Sequence, residues 1–294
     1  MDEKTVNITP LFKACQIPTG TLCITETSGM YPYKDRIEDN WAYFTAMGCK
    51  RLKKLFEQEQ KVIKDIGIVG ICSGVEAIAI AHLFASAAKR LVVTDIDDEI
   101  LEGTIRNLTE TSQRFGMEII PQVGLFCEPM EELDFKLDFI HANIPNLPTA
   151  GDEDLSKGDE KGSFAPPDYY EKYNPSHDFI QWALPAQYAY LQSAKKVLKP
   201  GGSVIAEVGG RMPFHILEKL FEDCDLKLEE LVVGFKRQTE AEINFNGYHR
   251  NEAEFGVSFE YYRYGESVVV LEKAGFENPT YKLSGHEVKE LLEP

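Results

Sequence analysis

The sequence predicts an α/β chain built on a doubly wound, mostly parallel sheet of seven strands, and three observations carry that prediction. From Asp65 onward, short apolar runs alternate with segments of helical period, which implies a sheet covered on both faces. The first run passes through a small-residue turn, VGICSGVEAIAI, with glycines at 70 and 74. The second run, RLVVTD, ends in Asp95, about 20–25 residues beyond that turn, where an acid suits a ribose diol.

Taken in order, residues 1–60 form a mixed N-terminal extension with an aromatic patch at 30–44 and a helix through CKRLKKLFEQEQKV. Residues 61–294 hold the main domain. IGIVGI (66–71) reads as a strand and VEAIAIAHLFASAA (75–88) as a buried helix. RLVVTD (90–95) is a strand, and 97–115 an amphipathic helix with Ile100, Leu101, Ile105 and Leu108 on one face. MEIIPQV is a short strand, and KLDFIHAN (136–143) another. A helix over 178–198 carries a kink at Pro185 and ends at Lys-Pro-Gly-Gly (199–202). Strand SVIAEVG, helix PFHILEKLFED and strands KLEELVVGF and SVVVLEKA complete the pattern. Two long, tyrosine-rich insertions, at about 144–177 and 236–264, are expected to fold over the carboxyl ends of the strands as a lid, with the aromatic patch of the N-terminal extension joining them.

Composition narrows the function classes. A net charge of −17 leaves no basic stripe for a nucleic-acid backbone, so no nucleic-acid partner is expected. The six cysteines show no C-x-x-C spacing, which argues against a metal site or disulfide framework and for a reducing cytoplasm. MDEKTVNITP lacks the features of a signal peptide. The apolar stretch 66–88 is broken by Cys72-Ser73-Gly74, Glu76 and His82, so it reads as strand, turn and helix rather than a membrane span.

Over roughly 65–275 the chain resembles the class I S-adenosylmethionine-dependent methyltransferases, whose Rossmann-like fold matches the pattern above. Gly70 and Gly74 stand in that family's G-x-G-x-G turn, with Cys72 at the middle glycine, and Asp95 matches its ribose-binding acid. LKPGGSVIAEVG resembles its run into the fifth strand. Asn143-Ile144-Pro145-Asn146 falls where the amino-methylating branch, which includes the release-factor glutamine methyltransferases, has Asn/Asp-Pro-Pro-Tyr. GLFCEPM (124–130) resembles the release-factor enzymes' stretch after the third strand. Ile144, Asn146, Ile68 and Gly124 depart from the pattern. The resemblance implies S-adenosylmethionine as cofactor, held by Gly70, Cys72, Ser73, Gly74, Asp95, Ile96, Leu125, Phe126 and Asn143.

For amino-methyl transfer the expected positioning groups are Asn143, Ile144 and Pro145. Two carbonyl oxygens, one from the Asn143 side chain and one from the Ile144 backbone, accept the hydrogens of an acceptor nitrogen, and Pro145 fixes the turn. Asn146, Tyr169, Tyr170 and Tyr248 are the expected acceptor contacts, with Tyr261 and Tyr262 as further aromatic wall. The acceptor is a small molecule or a protein side chain. Glu207 lines the pocket or caps its strand; His177 and His249 are candidate bases. His141, close before Asn143, reads as a core histidine on the strand's opposite face, and Cys72 as a residue filling a small slot. Methylation of oxygen or sulfur, a pocket that binds without chemistry, and a nicotinamide dehydrogenase are the alternatives left open.

Overall fold

The computed structural model describes residues 3–149, 151, 153–238, 245–280 and 285–292. The chain opens with an antiparallel pair, β1 (Glu3–Asn7) and β2 (Cys23–Thr27), joined through the short helix α1 (Thr9–Ala14). Helix α2 (Trp41–Gln58) begins earlier than Cys49, the predicted start, because the Asn40 side chain accepts the Ala42 N–H and caps it there. Val6, Ile8, Leu11 and Phe12 are buried in one cluster with Ile66, Ile78 and Leu91, so the N-terminal elements share the main core.

That core surrounds β3 (Asp65–Val69), helix α3 (Val75–Phe84), β4 (Arg90–Asp95), helix α4 (Asp98–Phe115), β5 (Glu118–Val123) and β6 (Leu137–Ala142). Asp97 caps α4 by accepting the Glu99 and Ile100 amides, and Gly116 ends it at φ +64°. A second insertion-borne pair, β7 (Leu147–Pro148) and β8 (Phe164–Ala165), flanks the single turn α5 (Gly158–Lys161). The helical turns α6 (Pro167–Tyr170) and α7 (His177–Gln181) follow, then helix α8 (Pro185–Val197), β9 (Leu198–Ala206) and helix α9 (Phe214–Glu222). The last described helices are α10 (Phe245–Phe255), α11 (Tyr264–Lys273) and α12 (Gly285–Leu292). No helix among the described residues is long and apolar enough to cross a membrane.

The central sheet is parallel throughout, in the order β5-β4-β3-β6-β9. Strand order reverses between β3 and β6, and such a switch point opens a crevice at the strands' carboxyl ends. Five strands, not seven, form this sheet among the described residues. Among the described residues, KLEELVVGF makes one antiparallel bridge, Val233 to Thr280. SVVVLEKA is helical, within α11. Its valines favour a strand locally, but with no neighbouring strand to pair with among the described residues, the segment satisfies its backbone internally and buries Ser267 and Leu271, four residues apart, on one face. The predicted 178–198 helix is two helices: Ala183 adopts φ +55° between them, and Pro185 opens α8 where its missing N–H costs nothing.

The amino ends of four sheet strands are tied together by charge. Asp65 accepts from Arg90 Nε at 2.7 Å and from Lys199 Nζ at 2.9 Å, while Lys199 also reaches Asp138 at 2.7 Å. Burial raises the Asp65 carboxyl, but the Arg90 and Lys199 hydrogen bonds outweigh it and hold the group below its usual 3.8. Its contribution is therefore present above the unfolded value and is lost as pH falls through the lower folded one. Asp65→Asn is expected to cost about 1–3 kcal/mol near neutral pH. In chemical denaturation, the gap to the wild type should close as the pH is taken below about 4.

Candidate active site

At the carboxyl ends of the sheet lies a cavity of about 1200 Å³, lined from β3, β4 and β9, from the turn after β6, from the loop around Tyr31, and from both insertions. Its first wall is the turn after β3. Gly70, Cys72 and Gly74 all take positive φ (66°, 48° and 83°), which folds the backbone tightly enough for α3 to begin directly after Gly74. Side chains of α4 hold the turn's carbonyls: Thr104 donates to the Cys72 oxygen, and Asn107 to that of Ser73 at 2.9 Å. A Cβ on Gly74 would lie 2.8 Å from Cγ2 of Thr104, a residue with no exposure to solvent. Gly74→Ala is expected to lose about 1–3 kcal/mol in a denaturation titration, from left-handed strain and this clash.

Asp95 stands beside the turn at the end of β4. Its Oδ2 accepts the Cys72 amide and its Oδ1 the Asp97 amide, both at 3.2 Å. Burial raises its carboxyl, while those amides and Lys161 oppose the shift. Lys161 itself pairs with Asp97 at 2.6 Å. Ile96, Leu125 and Phe126 line the same end of the cavity, with Ser73. Cys72 does more than fill a slot: its Sγ accepts the Tyr31 N–H at 3.1 Å and docks the N-terminal loop on the turn. Burial, with Asp95 nearby, pushes its thiol up to about 12, so it stays protonated.

The opposite wall is the turn after β6. Asn143 donates from Nδ2 to Glu76 Oε1 at 2.8 Å, which fixes the amide and leaves its Oδ1 without a protein partner among the described residues. Ile144 is buried, and its backbone oxygen accepts the Asn146 Nδ2 at 3.1 Å. Gln187 donates to Asn146 Oδ1 at 3.1 Å and to the Glu207 backbone oxygen at 2.9 Å. Asn146 thus spends both ends of its amide bracing the turn. Pro145 lines the cavity beside it.

His141 is corrected. It precedes Asn143 by two residues, and positions two apart on a strand share a face. Fully buried, it meets Glu76 Oε2 through Nε2 at 2.8 Å. Glu207, just beyond β9, accepts from Thr45 through Oε1, and its Oε2 is buried with no partner among the described residues. Burial and the adjacent Glu76 push Glu207 up, whereas the His141 and Asn143 hydrogen bonds outweigh burial and hold Glu76 down. The two carboxyls are thus pushed in opposite directions. The sequence reading missed Glu76, Thr45 and Gln187 as site residues, and placed Tyr31 only within the aromatic patch expected to join the lid. Only Glu76 left a signal, as the lone charge near the start of an apolar helix.

The insertions close over this floor. A Cβ on Gly158 would lie 2.0 Å from the Met30 oxygen, so the first insertion rests directly on the N-terminal loop. Arg250 of α10 pairs with Glu153 at 3.6 Å, joining the second insertion to the first. Tyr248 packs edge-on to Phe259 (4.8 Å) and to Tyr261 (5.9 Å); these three and Tyr262 line the cavity, as does Tyr169. Tyr170 is buried in the core and does not line it. His177 packs edge-on to Phe255 instead, and neither it nor His249 is a lining residue. Residues 239–244 of the predicted second insertion lie outside the described residues.

Fold and site together define an open α/β protein with a ligand cleft at its switch point. No family model matches the chain, and no curated protein matches it by sequence. Among solved structures it is similar to precorrin-6y C5,15-methyltransferase from Geobacter metallireducens, at 10% identity and a TM-score of 0.38, over 69% of this chain and 80% of that one. Aeropyrum pernix fibrillarin, solved with natively bound S-adenosyl-L-methionine, is similar at 14% identity and 0.38, over 72% and 84%. Precorrin 8w decarboxylase from Methanobacterium thermoautotrophicum is similar at 15% and 0.36, over 64% and 76%. With TM-scores below 0.5, none of these likenesses decides the chemistry, which rests on this chain's own side chains.

Proposed function

We propose that this chain binds S-adenosylmethionine and transfers its methyl group to a nitrogen of a small molecule or protein side chain. The observation that carries the reading is Asp95, held by two backbone amides at the end of β4, in one cavity with Asn143. A fixed carboxylate at that strand end has oxygens to offer both hydroxyls of a ribose, and the glycine turn lets the ligand approach the backbone. Asn143 Oδ1 and the Ile144 carbonyl then accept hydrogens from the acceptor nitrogen and favour the positive charge that grows there. Methyl transfer from a sulfonium is an in-line displacement, so the remaining task is to align acceptor and donor and to exclude water, which suits a cavity covered by two insertions.

A net charge of −17 and a cavity walled by tyrosines favour a small or protein acceptor over a nucleic acid. The test is methyl transfer from radiolabelled S-adenosylmethionine into host extract, split into dialysed macromolecules and small metabolites. Label in the metabolite fraction supports a small acceptor. Label in macromolecules that protease releases supports a protein side chain, whereas nuclease-sensitive label overturns the acceptor class. Cofactor binding with no label in any fraction leaves a binding protein, and no cofactor binding overturns the reading altogether.

A further inference from the structure

We propose that Glu76, His141 and Glu207 form a binding site for one divalent transition-metal ion in the wall of the cavity. The three come from the first turn of α3, from β6 and from the residue after β9, and their ligand atoms lie within 4.8 Å of one another. A buried atom here lacks, among the described residues, the partner that such a polar group requires: Oε2 of Glu207, whose other oxygen Thr45 already holds. A cation between it and the His141 Nε2–Glu76 Oε2 pair satisfies it directly.

The spacing fits. Ligands about 2.1 Å from one ion at a right angle stand roughly 3 Å apart, and Glu76 Oε2 and His141 Nε2 are at 2.8 Å. One imidazole and two carboxylates suit zinc, manganese or iron better than calcium or magnesium, which prefer oxygen alone. Supporting side chains are already in place, since Asn143 bonds the other oxygen of Glu76 and Thr45 the other oxygen of Glu207. Three protein ligands leave coordination positions open toward the cavity, which Glu76 and Glu207 line. An oxygen or nitrogen of the acceptor can fill one, beside Asn143. That last step rests on the methyl-transfer reading; the ion site does not.

The test uses the untagged full chain, stripped with a chelator and titrated with Zn²⁺ and with Mn²⁺ by calorimetry, with bound metal counted after gel filtration. One ion per chain is expected in the wild type, with affinity at least tenfold weaker in both Glu207→Gln and Glu76→Gln. Replacing the fully buried His141 endangers the core, so the two isosteric glutamines carry the test, with circular dichroism checking their folds. A wild type that takes up neither ion overturns the proposal, as do glutamine variants that bind like the wild type. S-adenosylmethionine titration of the same samples reports separately on the cofactor reading.

Discussion

Asp95→Ala is expected to weaken S-adenosylmethionine binding by roughly 10²–10³-fold or more, because it removes two charge-assisted hydrogen bonds worth about 1.5–3 kcal/mol each. The effect has a second source. Asp95 also anchors the Cys72 and Asp97 amides, so its loss frees the turn that the cofactor has to meet. Asp95→Asn separates the two contributions. It keeps one carbonyl oxygen for an amide or a hydroxyl but turns the other acceptor into a donor, so a loss between wild type and alanine is expected. Calorimetric titration with the cofactor and with its demethylated product measures both variants. Wild-type affinity in Asp95→Ala would remove the ribose assignment and with it the cofactor reading.

Asn143→Ala is expected to lower kcat by about 10²–10³-fold while leaving cofactor affinity within a few-fold, as loss of a group that acts mainly in the transition state does. Glu76 sharpens the prediction. By accepting from Nδ2 at 2.8 Å it determines that the free atom of the Asn143 amide is the oxygen, the atom an N–H acceptor needs. Asn143→Asp should be as damaging as alanine, since it sets a second carboxylate against Glu76 and removes the donor that fixes the group. Single-turnover kinetics with the labelled cofactor, once an acceptor is in hand, reads the effect without product release. A loss of only a few-fold in Asn143→Ala would move the chemistry to oxygen or sulfur, with Asn143 merely shaping the pocket.

The aromatic side of the cavity gives a milder expectation. Tyr248, packed against Phe259 and Tyr261, lines the cavity without bonding to the turns at 70–74 and 143–146. Tyr248→Ala is expected to raise the KM for the acceptor more than it changes kcat, and to leave cofactor affinity unaltered. Initial-rate measurements at varied acceptor concentration check it.

The sequence determined the elements whose signals are local. The runs at 66–71, 90–95 and 117–123 are apolar or β-branched and bounded by turns, and each became a strand of the parallel sheet. The 97–115 helix carries its own cap, its own apolar face and its own terminal glycine, and it formed as read. From the same local signals came the glycine turn, Asp95 and Asn143, because strand ends in this architecture are where ligands are met.

Tertiary structure decided everything that depends on a partner distant in the chain. The valine-rich segment in α11 has strand propensity but no strand beside it among the described residues, so the backbone closed its hydrogen bonds as a helix. Asn146 faced a choice between acceptor and scaffold, and Gln187, brought near by α8, made it scaffold. His141 meets Glu76 across 65 residues, and Thr45 meets Glu207 across 162. Periodicity says which face of its own element a side chain takes. Which other face it meets follows from sheet order and from the crossing of helices, and those are settled only when the whole chain buries its apolar surface at once.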